Sequence, residues 1–338
     1  MENRCAALRD LRGSLDSDSS NVDTNLAMSL VLCSLESIMA DNGDAWFLHL
    51  SGAAGVITSR LDTRESPNRQ GSARILQRFE DGHSGRWLLH NFAYRDIVMS
   101  VARDQAPLLS SHHFLQLDEP QLPDPHFGLA SEILEIIYHT TALNEEVKAT
   151  LRPKSSLPDN VRLNTDIRPQ PSIRSPARMS EFVYLESRLT QWACPPSTDL
   201  SLRLLAKSYR CSALIHLYRV MRRAFTHHQE ELSSKIATQV AATVGIIEQM
   251  PTRSLPECTL LFPLFLAGGE AILDSHIKSI RHRMLSMIES RGFRNVEVAL
   301  SVLEKLWRLR IARKAADPSV RVDWLDIVQQ DGINLSLS

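Results

Sequence analysis

The chain has 338 residues, of which 43% are hydrophobic and 23% charged, and its formal net charge is -1. That length and composition support a sizeable core and exclude global disorder. A near-neutral balance excludes a chain whose main work is electrostatic binding to nucleic acid, which shows a basic domain or face.

Helix signals dominate from the start. The first twenty residues, "MENRCAALRDLRGSLDSDSS", are polar and carry no secretory h-region. From Asn25 to Met39, "NLAMSLVLCSLESIM" is apolar on most faces, the pattern of a helix buried all round. "DNGD" at 41–44 breaks it, with Asp44 placed to cap a second helix, "AWFLHLSGAAGVITSR". In that helix Gly52 and Gly55 sit among small residues, where they would let a neighbouring helix approach closely.

A polar loop is expected at 62–74, then a helix around "RWLLHNFAYRDIVMSVAR". Residues 104–126 hold Pro107, Pro120, Pro123 and Pro125 and read as irregular. Ile133, Ile137 and Leu143 mark an amphipathic helix between Gly128 and Leu151. Residues 152–178 hold five prolines and few large apolar groups, so a flexible Pro/Arg-rich linker or loop is expected there. It separates an N-terminal helical half, 1–151, from a C-terminal one, 179–338.

Beyond it, Phe182, Leu185, Leu189 and Trp192 fall on one helical stripe. A long helix is expected over 199–226. Ile236, Val240, Val244, Ile247 and Met250 repeat at three and four until Pro251 ends the helix. Val298, Val302, Leu306 and Leu309 make a further stripe. No run alternates as a strand does. The expected fold is all-α, roughly ten to twelve helices in antiparallel pairs.

Chemistry is hard to find. The five cysteines form no CxxC unit and no short-spaced framework, so reduced thiols are expected. The pairs His112-His113 and His227-His228 are neighbours in sequence, whereas helical metal ligands sit three or four apart. No HExxH, calcium-loop or GxSxG motif occurs. Gly268-Gly269 is not a phosphate loop: Glu270 follows where a phosphate would be repelled, and neither the lysine nor the preceding strand is present. Close helix packing is the expected role of these glycines, with Pro263 in the first turn of the short helix that holds them. Arg219, Arg222 and Arg223 read as one wet helix face. The apolar run near Leu260 is about 13 residues, short of the ~20 that span a bilayer.

Six stretches in order resemble one family. "LVLCSLESIMADNGDAWFLHLSGAAGVI", with Glu36, Trp46, His49, Leu50, Gly52 and Ala53, resembles the opening of the fungal-specific transcription factor domain, the helical region that follows the zinc binuclear cluster in fungal regulators. "NFAYRDIVMSV", with Asp96, and "FGLASEILEIIYHTTAL" resemble its next blocks. "FPLFLAGGEAI", with Pro263, Gly268 and Glu270, resembles its C-terminal hallmark. "VLEKLWRLR", with Trp307, and "VDWLDIV", with Trp324, resemble the closing blocks.

The resemblance implies a nuclear transcriptional regulator and no enzyme, an effector and interaction domain that often governs metabolic or secondary-metabolite gene clusters. It implies protein partners in the transcription machinery or a DNA-binding partner, a small-molecule effector and a homodimer among its associations, and no membrane. The motif residues Trp46, His49, Gly52, Asp96, Pro263, Gly268, Glu270 and Trp307 are implied to be structural, with a Trp46–His49 contact on one helix face. The family's six-cysteine zinc cluster is absent from this chain, so no cofactor and no direct DNA binding are carried over. Either an upstream segment is missing from the sequence or the chain acts through partners. The alternative expectations are a helical scaffold or small-molecule-binding protein with no transcriptional role, and an unrecognised helical enzyme, which rests on size and hydrophobicity alone.

Overall fold

The computed structural model describes residues 22–40, 44–62, 83–110, 114–115, 123–124, 126–151, 176–316 and 322–338, with the isolated positions 6, 9 and 13. Among the described residues the chain is all-α, with eleven α-helices and no strand. In order these are α1 (Val22–Met39), α2 (Ala45–Asp62), α3 (His83–Arg103), α4 (Ser131–Leu151), α5 (Pro176–Gln191), α6 (Leu200–Ala224), α7 (Gln229–Gln249), α8 (Leu261–Glu270), α9 (Asp274–Arg291), α10 (Arg294–Ala316) and α11 (Trp324–Asp331). Of the polar loop expected at 62–74, Asp62 instead ends α2 and the rest lies outside the described residues, as do most of the proline-rich segment, 152–175, and His112 and His113.

Local chemistry sets several helix ends. Asp199 caps α6 by accepting from the amides of Ser201 and Leu202 at 2.7 and 3.1 Å. Met250 is extended before Pro251, so α7 stops where the proline requires it. The open carbonyls at that end are then closed by a side chain. Arg283 of α9 donates to the carbonyl oxygens of Ile247 and Met250 at 2.5 and 2.6 Å and pairs with the buried Glu257 at 2.9 Å. Helix α4 begins three residues after Gly128, which exchanges backbone hydrogen bonds with Asp124 at 2.8 and 2.9 Å.

Helix α6 is the centre of the molecule, packed on α4, α5, α7 and α8. The large core lies around it and takes in α9, α10 and α11. A smaller core joins α1, α2 and one side of α3, around Leu26, Trp46, Leu50 and Phe92. Helix α3 serves both: Leu88, Leu89, Phe92 and Met99 face the small core, and Ala93, Tyr94, Ile97 and Val98 the large one.

Two expectations about the first helices do not hold. Helix α1 is long and apolar enough by length and composition to cross a bilayer, but it is not buried all round. Eight of its residues are interior, whereas Val31, Leu35 and Met39 are 65%, 42% and 44% exposed. The helix buried on nearly all sides is α3, where every residue from Leu88 to Ala102 except Arg95 is interior. Its polar groups are met: His90 bonds Asp124 at 2.6 Å, and Asp96 accepts from the amides of Leu108 and Leu109 at 2.7 and 3.2 Å. Among the described residues, no neighbouring helix approaches Gly52 or Gly55. Both face solvent, and a Cβ on either would meet nothing within 4 Å, because the packed side of α2 is made by Leu50, Ala53, Ala54 and Ile57.

Candidate functional site

Every residue of α8 is buried. Pro263 is its third residue, inside the first turn, where no intrahelical N–H bond is lost. The glycines stand where two other helices arrive. A Cβ on Gly268 would lie 2.7 Å from Leu303 of α10, and one on Gly269 would lie 2.8 Å from the ring of Trp324 at the start of α11. The last carbonyls of α8 are also claimed. The Trp307 indole N–H donates to Gly268 O at 2.9 Å, and Arg310 donates to Gly269 O at 2.7 Å.

Glu270 ends α8 and carries the charge of the site. Its carboxylate takes Arg219 at 2.5 Å and Arg222 at 3.1 Å, both from the last turns of α6. Arg219 also donates to both oxygens of Asp323, at 3.0 Å each, and its guanidinium lies 5.3 Å from the centre of the Trp324 ring. Burial works against the charge on Arg219, but Asp323 and Glu270 outweigh it and raise its pKa further. Burial likewise pushes the Asp323 carboxyl up, and Arg219 with the Leu325 amide holds it below the usual range. Asp323 caps α11 as well, so one carboxylate ties α11 to α6.

A second cluster follows along α6. Arg223 donates to Asp104 at 2.7 Å and to Asn144 at 2.8 Å, and Asn144 donates to Asp104 at 2.8 Å. Lys148 lies 3.4 Å from the same carboxylate. Arg223, Lys148 and Asn144 together hold the Asp104 carboxyl below its ordinary value, against its burial. One turn earlier, Thr141 gives its hydroxyl proton to Ile137 O, so the 3.0 Å contact with His216 Nε2 has the imidazole donating. Burial keeps His216 neutral, its pKa pushed down to about 3.

The three arginines expected on a wet face are therefore the internal links between α6 and the acids of α8, of the turn after α3 and of the turn before α11. Only their spacing was visible in sequence; their acids lie 51, 104 and 119 residues away. Of the motif residues, the structure gathers Pro263, Gly268, Glu270 and Trp307 in this site. Trp46, His49 and Gly52 lie on α2 instead. Trp46 is buried, edge-on to Phe47 at 5.7 Å and with the Arg103 guanidinium 5.9 Å from its ring centre. His49 is half-buried, and Asp96 holds the loop after α3.

No catalytic arrangement emerges among the described residues. No three His, Cys, Asp or Glu side chains converge as metal ligands. His227 and His228 are exposed at the turn between α6 and α7. The acids Glu270, Asp323 and Asp104 are held by guanidinium or ammonium groups, so they act as fixed acceptors. The site joins helices.

The family model of the fungal specific transcription factor domain matches residues 1–338. The chain belongs to this family. No curated protein and no solved structure matches it. In this fungal specific transcription factor domain, blocks far apart in sequence meet around Glu270: the α8 glycines, Trp307 of α10, and Asp323 with Trp324 before α11. The family is one of transcriptional regulators, not typically of enzymes, and this implies work in the nucleus and contact with the transcription machinery or DNA.

Proposed function

We propose that residues 1–338 form the effector and interaction region of a fungal transcriptional regulator, working in the nucleus and controlling genes of a metabolic or secondary-metabolite cluster. The observation that carries this is the family match over the whole chain. Five cysteines cannot supply the family's six-cysteine zinc cluster, and the net charge is -1, so sequence-specific DNA contact is not assigned to these residues themselves.

The test is to fuse residues 1–338 to an unrelated DNA-binding domain and read a reporter gene. Activation or repression is expected. A fusion that is expressed, nuclear and without effect in either direction sinks the proposal and leaves the scaffold or small-molecule-binding reading. Transcript profiles with and without the gene then show whether the affected genes form a metabolic cluster.

A further inference from the structure

Residues 333–338, "INLSLS", follow the left-handed Gly332 that ends α11 and hold no regular secondary structure. Leu335 and Leu337 are buried in the large core, and Ile333 packs against it. These three do alternate with polar residues as in a strand, but the segment pairs with helices instead. Ser336 and Ser338 make the polar contacts. Ser37 of α1 gives its hydroxyl proton to Ser338 O at 3.2 Å, so in its contact with Ser336 the Ser336 hydroxyl donates. Asn295 of α10 donates to the same Ser338 O at 3.4 Å. Arg95 of α3 donates to the Ser338 hydroxyl at 3.1 Å and to Ser34 of α1 at 2.7 Å, with Asn91 fixing the guanidinium at 2.8 Å.

Six residues thus touch α1, α3 and α10 at once, where the small core meets the large one. Helices α1 and α2 pack more extensively on each other than on α3 or α10, and they share the small core. A helical hairpin of this kind is the supersecondary unit that opens as one piece in a sub-global fluctuation. The hairpin cannot leave α3 and α10 without breaking the bonds of Ser37 to Ser336 and Ser338. The segment, in turn, has no helix or ladder hydrogen bonds of its own. Two buried leucines and a row of hydroxyl contacts hold it against the chain entropy that its release would regain. The hydroxyls and the Arg95 guanidinium would find water on release, so opening strands no charge in the interior. The contrast is with α6 and α8, whose buried Arg219–Glu270 pair makes separation costly.

We propose that residues 333–338 are a strap that latches the α1–α2 hairpin to the rest of the domain, and that strap and hairpin open together while α6 and α8 stay closed. The device does not rest on the transcriptional reading: a silent reporter fusion leaves it standing, and its failure leaves the reporter result standing. The test is hydrogen exchange of the 338-residue protein, followed by mass spectrometry in steps of low urea. Peptides covering the strap, α1 and α2 are expected to share one opening equilibrium and to exchange faster than those of α6 and α8.

Ser336→Ala removes one donor and leaves Ser37 bonded to Ser338 O, so the fold is retained. It should speed exchange in the strap and in the hairpin by one common factor, about two- to tenfold, the size given by a single hydrogen bond. Leu337→Ala, which empties a fully buried seat, should raise both further and again together, with α6 still the slower. If Leu337→Ala does not fold, the same comparison in Ser336→Ala decides. Hairpin peptides as protected as those of α6, or exchange that rises in the strap and not in the hairpin, overturn the proposal.

Discussion

Glu270 at the end of α8 and Arg219 near the end of α6 meet at 2.5 Å, with only 1% and 5% of their side chains open to water. A buried pair of this kind is weak evidence of net stabilisation, but breaking it on one side leaves a charge in the interior. Glu270→Ala is therefore expected to cost about 3–5 kcal/mol. Asp331→Ala, which removes the partner of Lys305 in a far more exposed pair, should cost less than about 1 kcal/mol. Urea midpoints of the two variants check the contrast, and equal losses would show that Arg219 finds another partner.

The glycines of α8 and α2 should respond to alanine in opposite directions. Gly269→Ala places a methyl against the rigid indole of Trp324 and should cost about 1–3 kcal/mol. Gly268→Ala meets the end of the Leu303 side chain, which can turn aside, so a smaller loss is expected. Gly52→Ala fills open solvent in a helix interior and should stabilise by up to about 1 kcal/mol. Thermal melts of the three variants read the order directly.

Arg283 joins the end of α7 to the buried Glu257 through a planar fork. Arg283→Met strands that carboxylate and frees two carbonyls, for an expected loss of about 3 kcal/mol or more. Arg283→Lys should recover little, since an ammonium cannot reproduce the fork. A lysine variant as stable as the parent would show that charge alone matters at this position.

Burial lowers the pKa of His216 to about 3 and that of His126 to about 4, both below the unfolded value of about 6.5. The unfolded chain thus binds protons first as pH falls. Stability is expected to drop progressively below about pH 6.5, and the His216 share of the loss between pH 7 and 5 is roughly 2 kcal/mol. Urea titrations at pH 7, 6 and 5 measure the slope. His216→Leu, which leaves Thr141 bonded to Ile137 O, should flatten it; an unchanged slope assigns the effect elsewhere.

Helical class was legible because stripes such as Ile236, Val240, Val244 and Ile247 are the buried faces of their helices, and Pro251 stops α7 by local sterics. What failed needed a partner from elsewhere in the chain. Gly52 and Gly268 look alike in sequence; only the arrival of Leu303 separates them. Arg219 and Arg223 look wet until Asp323 and Asp104 are placed beside them. Helix α1 is the more apolar sequence and α3 the more buried helix, because α3 lies between two cores and its polar groups have partners there. The ordered motif blocks carried the family, since their order survives even where the role of each residue is hidden.

The double service of α3 sets a limit on how this chain can vary in length. Each residue added to an α-helix turns all that follows by about 100°. A single insertion near Asn91 would swing Arg95, the one half-buried residue between Leu88 and Ala102, into a core and carry Ile97 and Val98 off theirs. A helix with one wet side can absorb such a slip at its end; α3 has no side left on which to hide the error. Natural variants of this domain should accept insertions in the connections on either side of α3 and refuse them within it.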